Sequence, residues 1–369
     1  MSGPAPVLIM AGGTGGHVFP ALAVARALRQ RNESVVWLGT ARGLEARVVP
    51  ADGFPLEQVR VQALRGKGLL RWLTAPVKVL VAVADAIRVV RRCRPKVVLG
   101  MGGYTAGPGG IAAWLLRRPL VIHEQNAVAG LTNRLLAGFA RDVLQAFPGA
   151  FSPRIPARVT GNPVRADIAS LPAPAVRFAG RAGRLRLLVL GGSQGARALN
   201  ETVAGAVALL PADQRPEIRH QAGEATRPVA EAAYRAAGVE ARIHPFIEDM
   251  AEAYGWADLV LARSGALTVA ELAAAGVGAV LVPFPAAVDD HQTRNAAYLV
   301  DAGAATLLPQ SRLTAATLAA ELRAYLDQPG LALDRATRAR TLAAPAATDA
   351  IVGACLAASL GAPRSDAGA

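Results

Sequence analysis

The sequence predicts an α/β protein of two domains, each a parallel sheet wrapped by helices. Short apolar runs alternate with longer segments of helical period along the chain, as in consecutive βαβ units. The rhythm starts twice, and each time the first strand runs into a glycine-rich turn: Gly12-Gly13-Thr14-Gly15-Gly16, then Gly191-Gly192-Ser193-Gln194-Gly195. The length of 369 residues also exceeds what one core commonly supports.

The first series places strands at 7–11, 34–38, 96–99 and 120–123, with helices over 17–31 and 77–92 between them. The second places strands at 185–191, 217–221, 241–245, 259–262 and 279–283, and a helix over 267–275. Residues 161–183 are rich in Pro, Ala and Gly, including Pro163, Pro172 and Pro174, and read as a connection. The domains are therefore expected over 1–162 and 163–345, with a helix over 346–360 crossing back onto the first and a disordered tail over 361–369. The expected architecture is two Rossmann-like domains facing a cleft.

Residues 1–6 carry no basic residue, and the apolar stretch after them runs into the glycine turn, so they introduce a strand rather than a signal peptide. The long apolar run 272–288 is broken by Gly276, Gly278, Pro283 and Pro285, which opposes a transmembrane helix. Two cysteines, Cys93 and Cys355, make no disulfide framework or metal motif and fit a reducing, cytoplasmic compartment.

A net charge of +13 favours anionic partners. Residues 60–96 hold ten basic side chains against one acid, Asp85. Within them Leu69, Leu70 and Trp72 interleave with Arg65, Lys67 and Arg71, the mixture an interfacial membrane patch needs. Each cation near an anionic bilayer contributes about 1 kcal/mol, enough together for reversible attachment. No nucleic-acid-binding motif accompanies the charge, so nucleic acid is not the expected partner.

A glycine turn between strand and helix lets backbone N–H groups approach a phosphate, with the helix N-terminus adding partial positive charge. A nicotinamide or flavin reading is disfavoured: the first turn lacks G-x-G-x-x-G spacing, and Gly39-Thr40 stand where a ribose-binding acid is wanted. His17 follows the first turn and is either a general base for a hydroxyl or a residue that orients the loop. His123-Glu124-Gln125-Asn126 lies at a strand end, where parallel sheets build sites, and Gly100-Met101-Gly102-Gly103-Tyr104 is a further turn suited to close approach. In the second half Arg263-Ser264-Gly265-Ala266 forms another anion-binding turn, with Glu271 on the helix behind it as a candidate acceptor of two ribose hydroxyls. Asp289-Asp290-His291-Gln292 reads as a polar loop touching the ligand, since contiguous side chains are poorly placed to surround a metal.

Six blocks in order (GGTGGH at 12–17, GMGGY at 100–104, HEQN at 123–126, TGNPVR at 160–165, GGSQGA at 191–196, RSGALTVAE at 263–271) give the chain a specific likeness over nearly its whole length. It resembles the MurG family, the UDP-N-acetylglucosamine:N-acetylmuramyl-(pentapeptide) pyrophosphoryl-undecaprenol N-acetylglucosamine transferases. The resemblance implies the GT-B glycosyltransferase fold and inverting transfer of N-acetylglucosamine from UDP-N-acetylglucosamine to lipid I, giving lipid II for peptidoglycan at the inner face of the membrane. It implies Ile247 at the uracil, Glu271 at the ribose, Ser193 and Arg165 at the diphosphate, and Thr14, Asn126 and Gln292 at the sugar or its phosphate. Gly15, Gly16, Arg263, Ala266, Leu267, Thr268, Val269 and Ala270 complete the implied donor site, and Gly103, Tyr104 and Glu124 the acceptor site. His17 takes the position of the family's candidate base; no cofactor and no metal are implied. Where some members have two glutamines, this chain has His291-Gln292. The rival readings are a UDP-N-acetylglucosamine 2-epimerase, a transferase with a soluble acceptor, and a catalytically idle nucleotide-sugar-binding protein.

Overall fold

The computed structural model describes residues 4–60, 69–192, 195–328 and 330–361. Ser193, Arg65 and Lys67 lie outside the described residues, as do the side chains of Leu69, Leu70, Arg71 and Trp72 and the expected tail beyond Gly361. The chain divides into two compact units: one extends to Pro163 and resumes at Ala344, the other is Val164–Ala343.

The first unit contains β1 (Val7–Met10), α1 (Gly15–Gln30), β2 (Val35–Gly39), α2 (Glu45–Ala51), β3 (Leu56–Gln58), α3 (Leu69–Cys93), β4 (Val97–Gly100), α4 (Ala106–Leu115), β5 (Leu120–Glu124), α5 (Leu131–Leu136), β6 (Asp142–Gln145) and β7 (Ala157–Val159). The second contains α6 (Ala166–Ala169), α7 (Pro174–Phe178), β8 (Arg186–Leu190), α8 (Arg197–Ala208), β9 (Glu217–Gln221), α9 (Arg227–Ala237), β10 (Arg242–His244), α10 (Met250–Trp256), β11 (Leu259–Ala262), α11 (Ala266–Ala275), β12 (Gly278–Leu281), α12 (His291–Val300), β13 (Ala305–Leu307), α13 (Ala315–Asp327) and α14 (Leu331–Thr341). The last helix, α15 (Ala347–Ser359), belongs to the first unit.

The sheets run β3-β2-β1-β4-β5-β6-β7 and β10-β9-β8-β11-β12-β13, with parallel pairing throughout the described strands. Each sheet reverses its winding once, between β1 and β4 and between β8 and β11. In doubly wound sheets ligands bind outside the carboxyl ends of the strands at that reversal. The first glycine turn, the described Gly191 and Gly192 after β8, and the turns after β4 and β11 sit there. Each unit by itself is thus a Rossmann-like domain.

The central strands are buried at every position, because helices cover both faces of a parallel sheet. Helix α1 turns Val18, Ala21, Leu22, Ala25 and Leu28 into that core at helical spacing. Helix α15 adds Ile351, Val352 and Cys355 to the cluster that holds Ile9, Ala21 and Val97, and its Asp349 pairs with Arg31 at 2.7 Å. No helix among the described residues is long and apolar enough to cross a membrane.

Three sequence expectations change. The stretch read as a bare connection carries the short helices α6 and α7. The loop expected to end at Gln292 ends earlier, since His291 begins α12 and Gln292 lies in its first turn. The sheets are also wider than read, gaining β3, β6, β7 and β13.

Candidate functional site

In the first unit, Thr14 caps α1 in extended conformation (φ −112°, ψ 159°) with its side chain exposed, and Gly15 and Gly16 open the helix. The turn after β4 lies directly on this loop. Gly103 has φ +82°, and a Cβ there would stand 2.1 Å from the Gly12 carbonyl oxygen, so only glycine permits the approach. Tyr104, 48% exposed, covers Gly13, where a Cβ would meet its ring at 3.5 Å. Thr14, Gly15, Gly16, His17, Gly103 and Tyr104 are therefore brought together at one sheet edge.

A residue the sequence reading missed holds the loop. Glu45, wholly buried at the start of α2, accepts from the Gly13 backbone N–H (3.0 Å), the Thr40 backbone N–H (3.0 Å) and the Thr40 hydroxyl (2.7 Å). In sequence Glu45 stands among Arg42, Gly43 and Arg47 and looks like a solvated helix start; the Gly-x-Glu spacing after a strand was the available signal. Glu45→Ala leaves three half-buried donors without their acceptor and is expected to destabilise the protein by about 3 kcal/mol. At roughly 2–4 °C per kcal/mol for a domain of this size, calorimetry should show a Tm lower by about 6–12 °C, and an unchanged Tm would refute the role.

The HEQN segment ends β5. His123 is fully buried, its pKa pushed down to about 4 by desolvation, and its Nε2 lies 3.0 Å from the Gly161 carbonyl oxygen. Gln125 Nε2 lies 3.2 Å from His123 Nδ1, and Gln125 Oε1 lies 3.0 Å from His17 Nδ1. Glu124 is 3% exposed. It accepts from the Asn126 backbone and side chain (2.9 and 3.1 Å), the Gly130 backbone (3.1 Å) and the Asn133 side chain (2.8 Å). Four donors fill the acceptor sites of one carboxylate, which corrects the expectation that Glu124 touches the acceptor: it shapes the loop and orients the half-buried Asn126.

In the second unit, Gly265 caps α11 and the helix begins at Ala266. The backbone N–H groups of Ala266, Leu267 and Thr268 lie in the first turn of the helix, the end that carries its partial positive charge. Val269 already donates to the Gly265 carbonyl at 3.0 Å, and Ala270 follows it in the ladder; these two support the turn rather than supply donors. Glu271 is 9% exposed and accepts from the Tyr254 hydroxyl at 3.0 Å. Desolvation raises its pKa to about 7, against the opposing charge of Arg165 and the Tyr254 hydrogen bond. Arg165, at the cap of α6, thus shares an electrostatic environment with Glu271.

Three further residues of the implied donor site make internal hydrogen bonds. Arg263 donates to the carbonyls of Val282 and Pro283 (both 3.1 Å) and to Gln310 Oε1 (2.6 Å), fixing the turn after β12. Gln292 Oε1 accepts from the Phe284 backbone at 2.8 Å, so its amide nitrogen is the end facing away from that turn's backbone. Ile247 donates its backbone N–H to Gln221 Oε1 at 3.1 Å.

The cationic stretch is partly neutralised. Arg60 and Arg88 both grip Asp85, at 2.8 and 2.5 Å, and the hydrogen bond from Arg60 leads the causes that lower its pKa to about 2. Arg92 pairs with Glu57 and Lys96 with Glu33. Exposed apolar side chains extend beyond the expected patch: Val77 and Leu80 on α3, Trp114 and Leu115 at the end of α4, Leu131 and Leu135 on α5. The Trp114 ring lies 5.6 Å from that of Phe139. The signal for this second group was the Trp114-Leu115-Leu116 run followed by Arg117 and Arg118.

Residues 7–145 match the glycosyltransferase family 28 N-terminal domain and residues 186–351 the family 28 C-terminal domain. The UDP-N-acetylglucosamine--N-acetylmuramyl-(pentapeptide) pyrophosphoryl-undecaprenol N-acetylglucosamine transferase of Alkalilimnicola ehrlichii is 60% identical over 351 residues, 95% of this chain and 98% of that protein. The enzyme of the same name from Marinobacter nauticus is 56% identical over 354 residues, 96% and 98% of the two chains. The crystal structure of Acinetobacter baumannii MurG superposes with a TM-score of 0.83 at 43% identity, covering 96% of this chain and 99% of that one. A UDP-GlcNAc 2-epimerase from Neisseria meningitidis, at a TM-score of 0.65 and 13% identity over 95% and 99% of the chains, shares the fold alone. This chain belongs to the MurG family of glycosyltransferases, built from the family 28 N- and C-terminal domains.

Proposed function

We propose that the chain is a glycosyltransferase of peptidoglycan synthesis, moving N-acetylglucosamine from UDP-N-acetylglucosamine to the undecaprenyl-pyrophosphoryl-N-acetylmuramyl-pentapeptide acceptor, lipid I, to give lipid II. The observation that carries it is 60% identity, over 95% of the chain, to a relative named for that reaction. Each unit also presents a glycine turn and a helix N-terminus at its sheet reversal, the sites such a transfer requires for a sugar nucleotide and its diphosphate.

The reaction is read as inverting. An acceptor hydroxyl oxygen bonds to the anomeric carbon of the donor as the bond from that carbon to the diphosphate breaks on the opposite face. His17 takes the hydroxyl proton, and the electron pair leaves on UDP. The first-turn amides of α11, with Arg165 and Ser193, stabilise the charge that grows on the diphosphate. Glu271 receives the ribose hydroxyls, the Ile247 carbonyl the uracil N–H, and Thr14, Asn126 and Gln292 the sugar or its phosphate. Gly103 and Tyr104 border the acceptor.

A lipid-linked acceptor calls for docking at an anionic membrane, which places the enzyme peripherally at the cytoplasmic face. The exposed Val77, Leu80, Trp114, Leu115 and Leu135 support this, with Arg117 beside them, as an apolar surface edged by cation.

One assay tests the whole reading: UDP-N-acetylglucosamine labelled in the sugar is mixed with lipid I in vesicles with and without anionic phospholipid. Label should enter the lipid, faster where the vesicles are anionic. Release of free labelled sugar or its epimer, with no labelled lipid, would refute the transfer; equal rates on neutral and anionic vesicles would refute the electrostatic part of docking.

A further inference from the structure

A histidine acts as a base through whichever ring nitrogen lacks the proton, so the tautomer decides whether His17 works at all. The polar atoms behind its ring decide that tautomer. The Gly161 carbonyl can only accept, so His123 Nε2, 3.0 Å away, carries a proton. His123 is fully buried and its pKa is pushed down to about 4, so the ring is neutral and Nδ1 is a bare acceptor. Gln125 must then turn its NH2 toward His123: Nε2 donates to Nδ1 at 3.2 Å and to the His123 carbonyl at 3.3 Å, a second group that can only accept. The reversed amide would face two acceptors with an oxygen, and could be satisfied only by a charged imidazolium in a site without solvent. Gln125 is itself 1% exposed, and its backbone carbonyl accepts from the Asn162 side chain at 2.9 Å, which pins the segment. With the amide so turned, Oε1 faces His17 Nδ1 at 3.0 Å and can only accept.

We propose that His123 and Gln125 are positioning residues that pass an orientation from the Gly161 carbonyl to His17, fixing the proton on Nδ1 and presenting Nε2 as the basic nitrogen. The inference rests on the reading of His17 as the base. Here a neutral amide serves where a carboxylate orients the histidine in many hydrolases, so the ring is oriented without a full charge beside it. Gly102 closes the arrangement: it has φ +87°, and a Cβ there would lie 2.7 Å from His17 Nδ1, displacing the ring from Gln125.

The experiment is a long-range 1H–15N correlation on full-length protein labelled with 15N-histidine, at alkaline pH where imidazoles are neutral. The His17 signals among the five histidines are assigned from the spectrum of His17→Gln. The expected wild-type pattern has a protonated Nδ1 and an unprotonated Nε2 at His17, and the opposite pattern at His123. In Gln125→Met, His17 should move toward the Nε2–H form, with kcat lower by about 10-fold or more and KM for UDP-N-acetylglucosamine within about twofold. An Nε2–H tautomer at His17 in the wild type overturns the proposal whether or not the variant folds, as does a Gln125→Met enzyme with wild-type tautomer and kcat. If His17→Ala keeps wild-type turnover while the wild-type tautomer is as expected, the base reading fails and the tautomer assignment stands.

Discussion

His17→Ala is expected to bind UDP-N-acetylglucosamine as the wild type does and to turn over about 100-fold or more slowly. The donor-binding expectation follows from the groups assigned to the donor: the first-turn amides of α11, the Glu271 carboxylate, the Ile247 carbonyl and the side chains of Thr14 and Asn126 are all retained when the imidazole is removed. The loss of turnover follows from the chemistry. A sugar hydroxyl is a weak nucleophile at neutral pH, and a positioned base removes its proton as the new bond forms. The loop stays in place without the ring, because Glu45 grips Gly13 and Gly103 packs on Gly12. Single-turnover kinetics with labelled donor separates binding from chemistry, and a rate within a few-fold of wild type would remove His17 from the role. A loss confined to KM for the lipid acceptor would make it a binding residue instead.

How much of this was legible in the sequence depended on what each residue does. The buried strands showed themselves because a strand covered on both faces must be apolar throughout; Val7–Met10 and Leu259–Ala262 are of this kind. Strands β3, β7 and β13 did not, since each is three residues long and reads Leu-Glu-Gln, Ala-Arg-Val or Ala-Thr-Leu, with no run or alternation long enough to register. Glycine turns announced the sheet reversals for the same reason they work there: close backbone approach excludes other residues, as at Gly103. What composition cannot convey is the partner of a polar side chain. Glu45 and Glu124 look in sequence like a surface acid and a ligand-binding acid, yet both are buried and filled by loop amides and side chains. Likewise the basic run of 60–96 reads as ten cations against one acid, whereas in the structure Asp85, Glu57 and Glu33 pair with four of them. Pairing across distant segments is a tertiary fact, written nowhere in local spacing.

Glu271 makes donor binding depend on pH in a direction its burial dictates. Desolvation holds its pKa at about 7 in the folded protein, above the 4.5 of a free side chain. Between those values the folded state keeps a proton that the unfolded chain has lost. The contribution to stability is therefore full below about 4.5 and declines as pH rises toward about 7, by at most about 3 kcal/mol. Binding runs the other way. One carboxylate oxygen is occupied by Tyr254, and accepting both ribose hydroxyls requires the ionised form. Affinity for UDP-N-acetylglucosamine should rise from about pH 5.5 to about 7, by up to tenfold per unit, and level off above. The intact donor is the ligand to use, because the terminal phosphate of UDP titrates near pH 6 and would add its own slope. Glu271→Gln should flatten both profiles, raising stability above pH 7 while weakening the donor by about 10- to 100-fold, the worth of charge-assisted hydrogen bonds. Calorimetric titration of wild type and variant across that range decides: a flat wild-type profile, or a slope that survives in Glu271→Gln, would place the ribose against some other group.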